Sequence, residues 1–306
     1  MKRLIIIVLL FSTTLFAKKI ITSNEVYTQV RLIQQQVHNL HQHFGTIHNH
    51  DAMKDEEHKI KTKLKPRNSW QKTYEIMVKI NILRNENGLP TIEPINMTPV
   101  LNLNPNLVYG MTRRILTELN LFHHMLDIKK SKQKIELYKG KTPLDVFNAL
   151  THVSDSLDQL NKVGFTPSYV FGENMRIYDD LTVILQHLNI DDKTIPASKD
   201  IKATPKDTFE VGMKMLSIIR QLQIKSGLDF VDYSKFRKKK ITSSDVFTIT
   251  GMIISELQTI KAYIGLNDSI TPAAAKYNSK ISVEVDQLMN WNLRKLSLIY
   301  QLEGKK

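Results

Sequence analysis

Six of the ten histidines, His38, His41, His43, His48, His50 and His58, crowd between positions 38 and 58, with Asp51, Asp55, Glu56 and Glu57 among them. Imidazole is the commonest side-chain ligand for zinc, copper and nickel, and carboxylates complete many such sites. A His48-x-His50-Asp51 run, preceded by histidines three apart at the end of a helix, can supply several donors. The candidate metal set is His38, His41, His43, His48, His50, Asp51 and His58, with Zn, Cu or Ni as the ion. The spacing matches no closed zinc motif, and a histidine-rich tract is assigned by composition only. The alternative is a solvated loop that chelates weakly.

Positive charge gathers in two further stretches. Lys129, Lys130, Lys132 and Lys134 form one cluster, and Arg237, Lys238, Lys239 and Lys240 another. The formal net charge is +13. Arginine, whose forked guanidinium suits phosphate and base edges, supplies only 10 of the 43 basic residues, which disfavours nucleic acid as a partner. Lysine-rich surfaces instead fit an acidic protein, an anionic polymer or a membrane surface. The bland alternative is that each charge run is a solvated loop.

Catalytic motifs are missing. There is no Gly-x-Ser-x-Gly, no Ser-x-x-Lys with its partner motifs, no His-Glu-x-x-His and no glycine-rich phosphate loop. Neighbouring carboxylates such as Asp179 and Asp180 diverge by about 100° on a helix and make no catalytic pair by spacing. With no cysteine, thiol nucleophiles, disulfides and Cys-ligated metals are excluded. These observations point away from an enzyme.

Met1-Lys2-Arg3, an apolar run from Leu4 to Phe16 and then Ala17-Lys18-Lys19 have the order of a secretory signal peptide, residues 1–17. The run is too short to span a bilayer, which needs about 20 residues. The expected location is an exported compartment, the periplasm of a Gram-negative cell or the outside.

The elements that must position these residues announce themselves by repetition. A polar capping residue is followed four places later by Val or Thr, then by Phe or Tyr, and an apolar stripe runs on from there. Clear copies begin at Thr142, Thr166, Thr204 and Thr242, weaker ones at Thr22, Ser69 and Asn104, and a shifted one at Thr271. The capping oxygen satisfies an orphan N–H of the first turn, and the Pro that often follows already has a helical φ. Glu25, Asp145, Asp207 and Asp245 stand at the capping-box position. About 23 residues after the caps come Gly45, Asp127, Gly164, Asn189, Gly227 and Gly265, residues that tolerate the left-handed conformation ending a helix. In between, apolar residues step by four and three, as in Val26, Val30, Ile33, Val37 and Leu40, the spacing of a helix packed on other helices.

The sequence therefore predicts an all-α fold of seven to eight helices of about 20 residues. They would pack as a bundle, as two four-helix halves, or as a short array with long crossover connectors. Residues 18–164, with a His-rich insertion at about 41–68, form the first half and 165–306 the second. Gly164-Phe165-Thr166 leaves almost no loop and suggests an antiparallel hairpin. The gaps 128–141, 190–203 and 228–241 hold 14 residues each, enough to reach about 45 Å and start the next helix parallel to the last. The expected role is an exported helical binding or scaffold protein, with metal handling, small-ligand sensing and lipid binding as alternatives.

Overall fold

The computed structural model describes residues 20–46, 64–92, 103–128, 137–160, 164–234, 236 and 240–303. Among them are eight helices and no strand: α1 (Ser23–His43), α2 (Pro66–Glu86), α3 (Pro105–Met125), α4 (Pro143–Leu160), α5 (Pro167–His187), α6 (Pro205–Lys225), α7 (Ser243–Tyr263) and α8 (Ser282–Glu303). None of the described helices is long and apolar enough to cross a membrane.

The punctuation expected from the repeat is present atom for atom. Thr22, Thr142, Thr204 and Thr242 each donate their backbone N–H to the carboxylate three residues on, at 2.9, 2.7, 2.8 and 2.8 Å. At the other ends Asp127 and Asn189 take φ of 53° and 54°, as do the glycines at 45, 227 and 265 with values from 64° to 88°. The residue after each of these sends its N–H back to the carbonyl five positions earlier, for example Ile128 to His123 and Leu228 to Gln223. That is the Schellman closure, which satisfies carbonyls the helix leaves free.

Two weaker copies of the repeat were misplaced by the sequence pattern. Ser69 is no cap but lies buried inside α2, whose N-cap is Lys65. Thr271 is likewise no cap: α8 begins at Ser282 after Ile281, whose carbonyl receives the N–H of Glu284. In both cases the residue at the cap position, Lys65 or Ile281, has no side-chain oxygen by which the start could be recognised.

Neighbouring helices divide into two sets of four. α1 and α2 each pack closely on α3 and α4, and α5 and α6 on α7 and α8; among the described helices the backbones of the two sets approach closely only where α2 meets α7. Within a set the helices all point the same way. Lys141, just before α4, donates to Asn24 at the start of α1, while near their ends His41 meets Ser156. Gln29 and then Gln36 of α1 meet Tyr109 and then His123 of α3. In the second set Lys280 meets Ser168 at the start and Lys295 meets Thr182 further along. Parallel neighbours need a long return, and the gaps supply it.

The returns lie as extended straps against helices of their own set, held mostly through backbone carbonyl and N–H groups. The strap after α5 descends along α8: Asp192 pairs with Lys295, Thr194 with Trp291, the Ala197 carbonyl with Gln287 and Lys199 with Glu284. The strap after α7 descends along α5: the Ile264 carbonyl meets His187, that of Pro272 meets Arg176, and the Lys280 N–H meets Ser168. In the first set the strap before α4 follows α1 in the same manner, with Tyr138 on Thr28 and Lys141 on Asn24. The two sets are built on one plan.

α2 and α7 cross in opposite directions. Arg67 meets Glu256, Asn68 meets Ser255, and Glu75 meets Thr248, so one sequence rises as the other falls. The positive end of one bundle therefore lies beside the negative end of the other, which offsets part of the repulsion among the parallel helix dipoles inside each bundle. This also corrects the expected hairpin at 164–166. α4 and α5 run in opposite directions yet belong to different bundles, and no contact between them is present among the described residues. Phe165 instead stacks on Phe247 of α7, with centroids 4.0 Å apart.

Three substitutions test this packing by urea unfolding. Thr204→Ala should lower stability by about 1 kcal/mol through the lost cap. Gly172→Ala should cost more, about 1–3 kcal/mol, because its Cβ would stand 2.6 Å from the Ala275 carbonyl oxygen of the strap. Gly110→Ala, with nothing within 4 Å, should stabilise by about 0.5–1 kcal/mol.

Candidate functional site

Polar chemistry in the described residues concentrates where α2 crosses α7. Asn68, Lys72, Glu75 and Lys79 form a stripe along α2 at steps of four and three, the same spacing as an apolar core stripe, and all are buried. Lys79 is 1% exposed, so its charge must be answered inside the protein. It binds Asp158 at 2.8 Å, Glu75 at 3.5 Å and the Ser154 carbonyl at 3.1 Å. Lys72 completes the group, 2.8 Å from Glu75 and 3.0 Å from Thr248 of α7.

Glu256 organises the next group. It accepts from Arg67 Nη2 at 2.9 Å, Asn68 Nδ2 at 3.0 Å, Gln223 Nε2 at 2.8 Å and the Tyr233 hydroxyl at 3.0 Å. Asn68 explains why α2 departs from the repeat at its third position. Its Oδ1 still receives the Lys65 N–H at 2.9 Å, as the Asp of other copies does, while its Nδ2 donates to Glu256. An Asp there could not donate and would set two carboxylates together.

Two more clusters flank these. Gln71 reaches Glu173 of α5 at 3.1 Å, Glu173 pairs with Arg176 at 2.6 Å, and the Arg176 guanidinium lies over the Tyr74 ring at 4.4 Å. Lys261 of α7 binds Asp180 of α5 at 2.6 Å, with Thr271 and Gln258 around the same carboxylate. Thr271, expected as a cap, is thus a fully buried ligand of Asp180.

These surroundings move the titrations in different directions. Burial alone would raise Glu75, but Lys72 and Lys79 outweigh it and hold the carboxyl at about 2. Burial wins at Asp158, where Glu75 adds repulsion to it, and at Glu173, and both are raised. Burial, with Glu173 nearby, pushes the Tyr74 phenol up to about 12, and burial with Glu256 does the same in kind to Tyr233. Both phenols therefore stay protonated, and Tyr233 is a donor.

The histidines named from sequence meet a different fate. Both ring nitrogens of His41 are engaged, Nδ1 with the Thr46 hydroxyl at 2.6 Å and Nε2 with the Ser156 hydroxyl at 2.8 Å. Burial lowers its pKa, and it ties α1 to α4. His38 contacts Gln42 at 3.1 Å, and His43 packs edge-on against Phe44. His48, His50, Asp51 and His58 lie outside the described residues, and among the described residues no three His, Asp or Glu converge to hold a metal ion. Of the basic candidates, Lys129, Lys130, Lys132, Lys134, Arg237, Lys238 and Lys239 also lie outside, while Lys240 is exposed and lines a polar cavity with Asp155, Asp158 and Asp245.

No family model, curated protein or solved structure matches this chain. Its own residues must carry the functional reading. Sequence reasoning missed the whole seam between α2 and α7, although a signal was present: Lys72-Glu75-Lys79 places alternating charges at i, i+3 and i+4 in a helix with no polar-free face.

The Glu75 cluster predicts an acid-sensitive seam. A carboxylate whose folded pKa is depressed contributes stability that is complete above its unfolded value near 4.5 and lost as pH falls toward 2. Glu173 and Asp158, being raised, act in the opposite sense, so the comparison must isolate Glu75. Glu75→Gln, which leaves the buried Lys72 without a carboxylate and Lys79 with Asp158 alone, should cost about 3–5 kcal/mol at neutral pH. That gap should narrow steadily between pH 4.5 and 2 in denaturant titrations. A gap constant with pH would show that Glu75 is not the depressed group.

Proposed function

We propose that the chain is an exported, non-catalytic binding or scaffold protein that holds an acidic protein, an anionic polymer or a membrane surface through helix faces and basic connectors. One observation carries this reading: the buried carboxylates at and beside the α2–α7 crossing are each answered by a cation inside the protein, and one pair, Arg67 with Glu256, joins the two bundles. Glu75, Glu173, Asp180 and Glu256 each face a Lys or Arg within 3 Å. Charges spent this way fix shape, and a fixed shape is what a scaffold contributes. The reading assigns contact with the partner to the basic runs of the sequence, Lys129, Lys130, Lys132 and Lys134 and Arg237 to Lys240. The signal-like N-terminus supports an exported place of action.

The test is capture from the exported fraction at low and high salt, run with the wild type and with a variant carrying Ser at those eight basic positions. A partner bound by the connectors should fall several-fold in recovery with the variant, and in the wild type as salt rises, since exposed charges are screened beyond about 10 Å at 0.1 M. Equal recovery by both chains, insensitive to salt, would overturn the reading.

A further inference from the structure

The two bundles repeat one another closely enough to be matched residue by residue. Their second and third helices are joined by the same bond at the same places counted from the helix starts: Arg84 of α2 reaches Glu118 of α3 at 3.1 Å, and Gln223 of α6 reaches Glu256 of α7 at 2.8 Å. α6 is therefore the counterpart of α2, and α3 the counterpart of α7. The seam inside the chain uses one face of each kind, that of α2 from the first bundle and that of α7 from the second. The counterpart faces on α3 and α6 point outward, with Gly110, Arg113 and Thr117 exposed on one and Lys206, Glu210 and Lys214 on the other.

The α3 face has two features that its own bundle does not account for. Leu107 and Leu121 are 40% and 45% exposed. Gly110 stands between them, inside a helix where glycine costs about 1 kcal/mol against alanine. Among the described residues nothing lies within 4 Å of the place its Cβ would take, so no packing in the chain requires it. In α7 a glycine on the matching face serves the crossing: Gln71 of α2 lies so close to Gly251 that a Cβ there would stand 2.8 Å from the Gln71 Cγ.

Carried over to α6 and α3, the register of the α2–α7 seam brings together residues that suit one another. Where Arg67 meets Glu256, Lys206 meets Glu118. Where Gln71 meets Gly251, Glu210 meets Arg113. Where Lys79 and Asp245 line one cavity, Ile218 meets Leu107. Cation falls on anion, anion on cation and apolar on apolar, although the last two pairs share no residue type with the seam they copy. Glu118 already accepts from Arg84, and Glu256 shows that a carboxylate at this place takes a donor from its own bundle and a cation from another one together. Lys206 and Glu210 are 3.9 Å apart and 71% and 60% exposed, a solvated pair that holds neither side chain back.

α3 and α6 of one chain do not approach each other, so the two faces cannot meet within it. We infer that the chain assembles with copies of itself, α6 of one copy lying antiparallel on α3 of the next in the register of the α2–α7 seam. The contact is head-to-tail, because it joins different faces of the two copies. Each added copy offers a fresh α6 and a fresh α3, and the assembly closes as a ring or grows as a filament. It does not involve the basic connectors assigned above to another partner.

The test is sedimentation of the full chain over a range of concentrations at low salt. Species larger than one chain are expected, their share rising with concentration. Glu210→Arg and Arg113→Glu should each weaken assembly at least tenfold, with helix content and melting temperature near wild type because both side chains are exposed. Mixed in equal amounts, the two variants should assemble again. The reversed charge at 210 then meets the reversed charge at 113, and the native Glu210 of one variant meets the native Arg113 of the other. Damage to the fold would not be repaired by mixing. The inference is overturned if the wild type stays monomeric at about 100 μM, where association of micromolar affinity would be nearly complete. It is overturned as well if Glu210→Arg leaves assembly unchanged, which would point to α3 packing on α3, or if the mixed variants fail to recover it.

Discussion

The buried carboxylate of Glu256 holds the molecule in its particular arrangement. It lies between two bundles, 1% exposed, and collects donors from α2, α6 and the strap that precedes α7. Burying a charge is expensive, and the surrounding hydrogen bonds offset that cost only when every one is made. A one-turn slip of α2 along α7 would move Arg67 and Asn68 away together and leave the buried carboxylate without its cation, with only Gln223 and Tyr233 as donors. The seam therefore selects one register far more sharply than an apolar contact of equal area would. The antiparallel relation of the bundles, and the overhang of α7 beyond α2, follow from that register.

Parallel helices inside each bundle pose a different problem, because every return must travel the length of a helix. Loop closure grows only slowly with length, about 0.6 kcal/mol per doubling, so the length itself is tolerable. The larger risk is a strap with unsatisfied backbone groups, and side chains on the helices remove it. Gln287, Arg176, Arg84 and Asn81 reach carbonyls at 197, 272, 90 and 92, while Asn24, Thr28 and Ser168 receive strap N–H groups. Such residues sit on flanks of the helices that a search for apolar stripes passes over.

This division explains what was legible in the sequence. Caps, Schellman stops and apolar stripes are local, each decided by residues within one or two turns, and they were readable to the residue in six of eight helices. Lys65 and Ile281 hid the other two starts because neither can cap with an oxygen. The crossing of α2 and α7 was not readable, since it depends on partners such as Arg67 and Glu256 that lie 189 positions apart. One of the histidines is instructive. His41 shares its type and neighbourhood with candidate ligands, yet Ser156, 115 residues on, turns it into a brace between α1 and α4.

Departures from a repeat mark where one copy does something the others do not. α2 breaks the pattern at its cap, with Lys65 for Thr, and at its third position, with Asn68 for Asp. The second change is accounted for by Glu256, which needs a donor there. The first costs the helix its side-chain cap: a threonine at 65 could accept a first-turn N–H, as Thr242 does for α7. Lysine at that point gives up a cap worth about 1 kcal/mol. What it gains is an ion pair with Asp229, 2.7 Å away in the strap that follows α6. A local interaction within one helix has thus been exchanged for a tie between the two bundles, the pattern expected when a repeat copy is fitted to a partner the other copies lack.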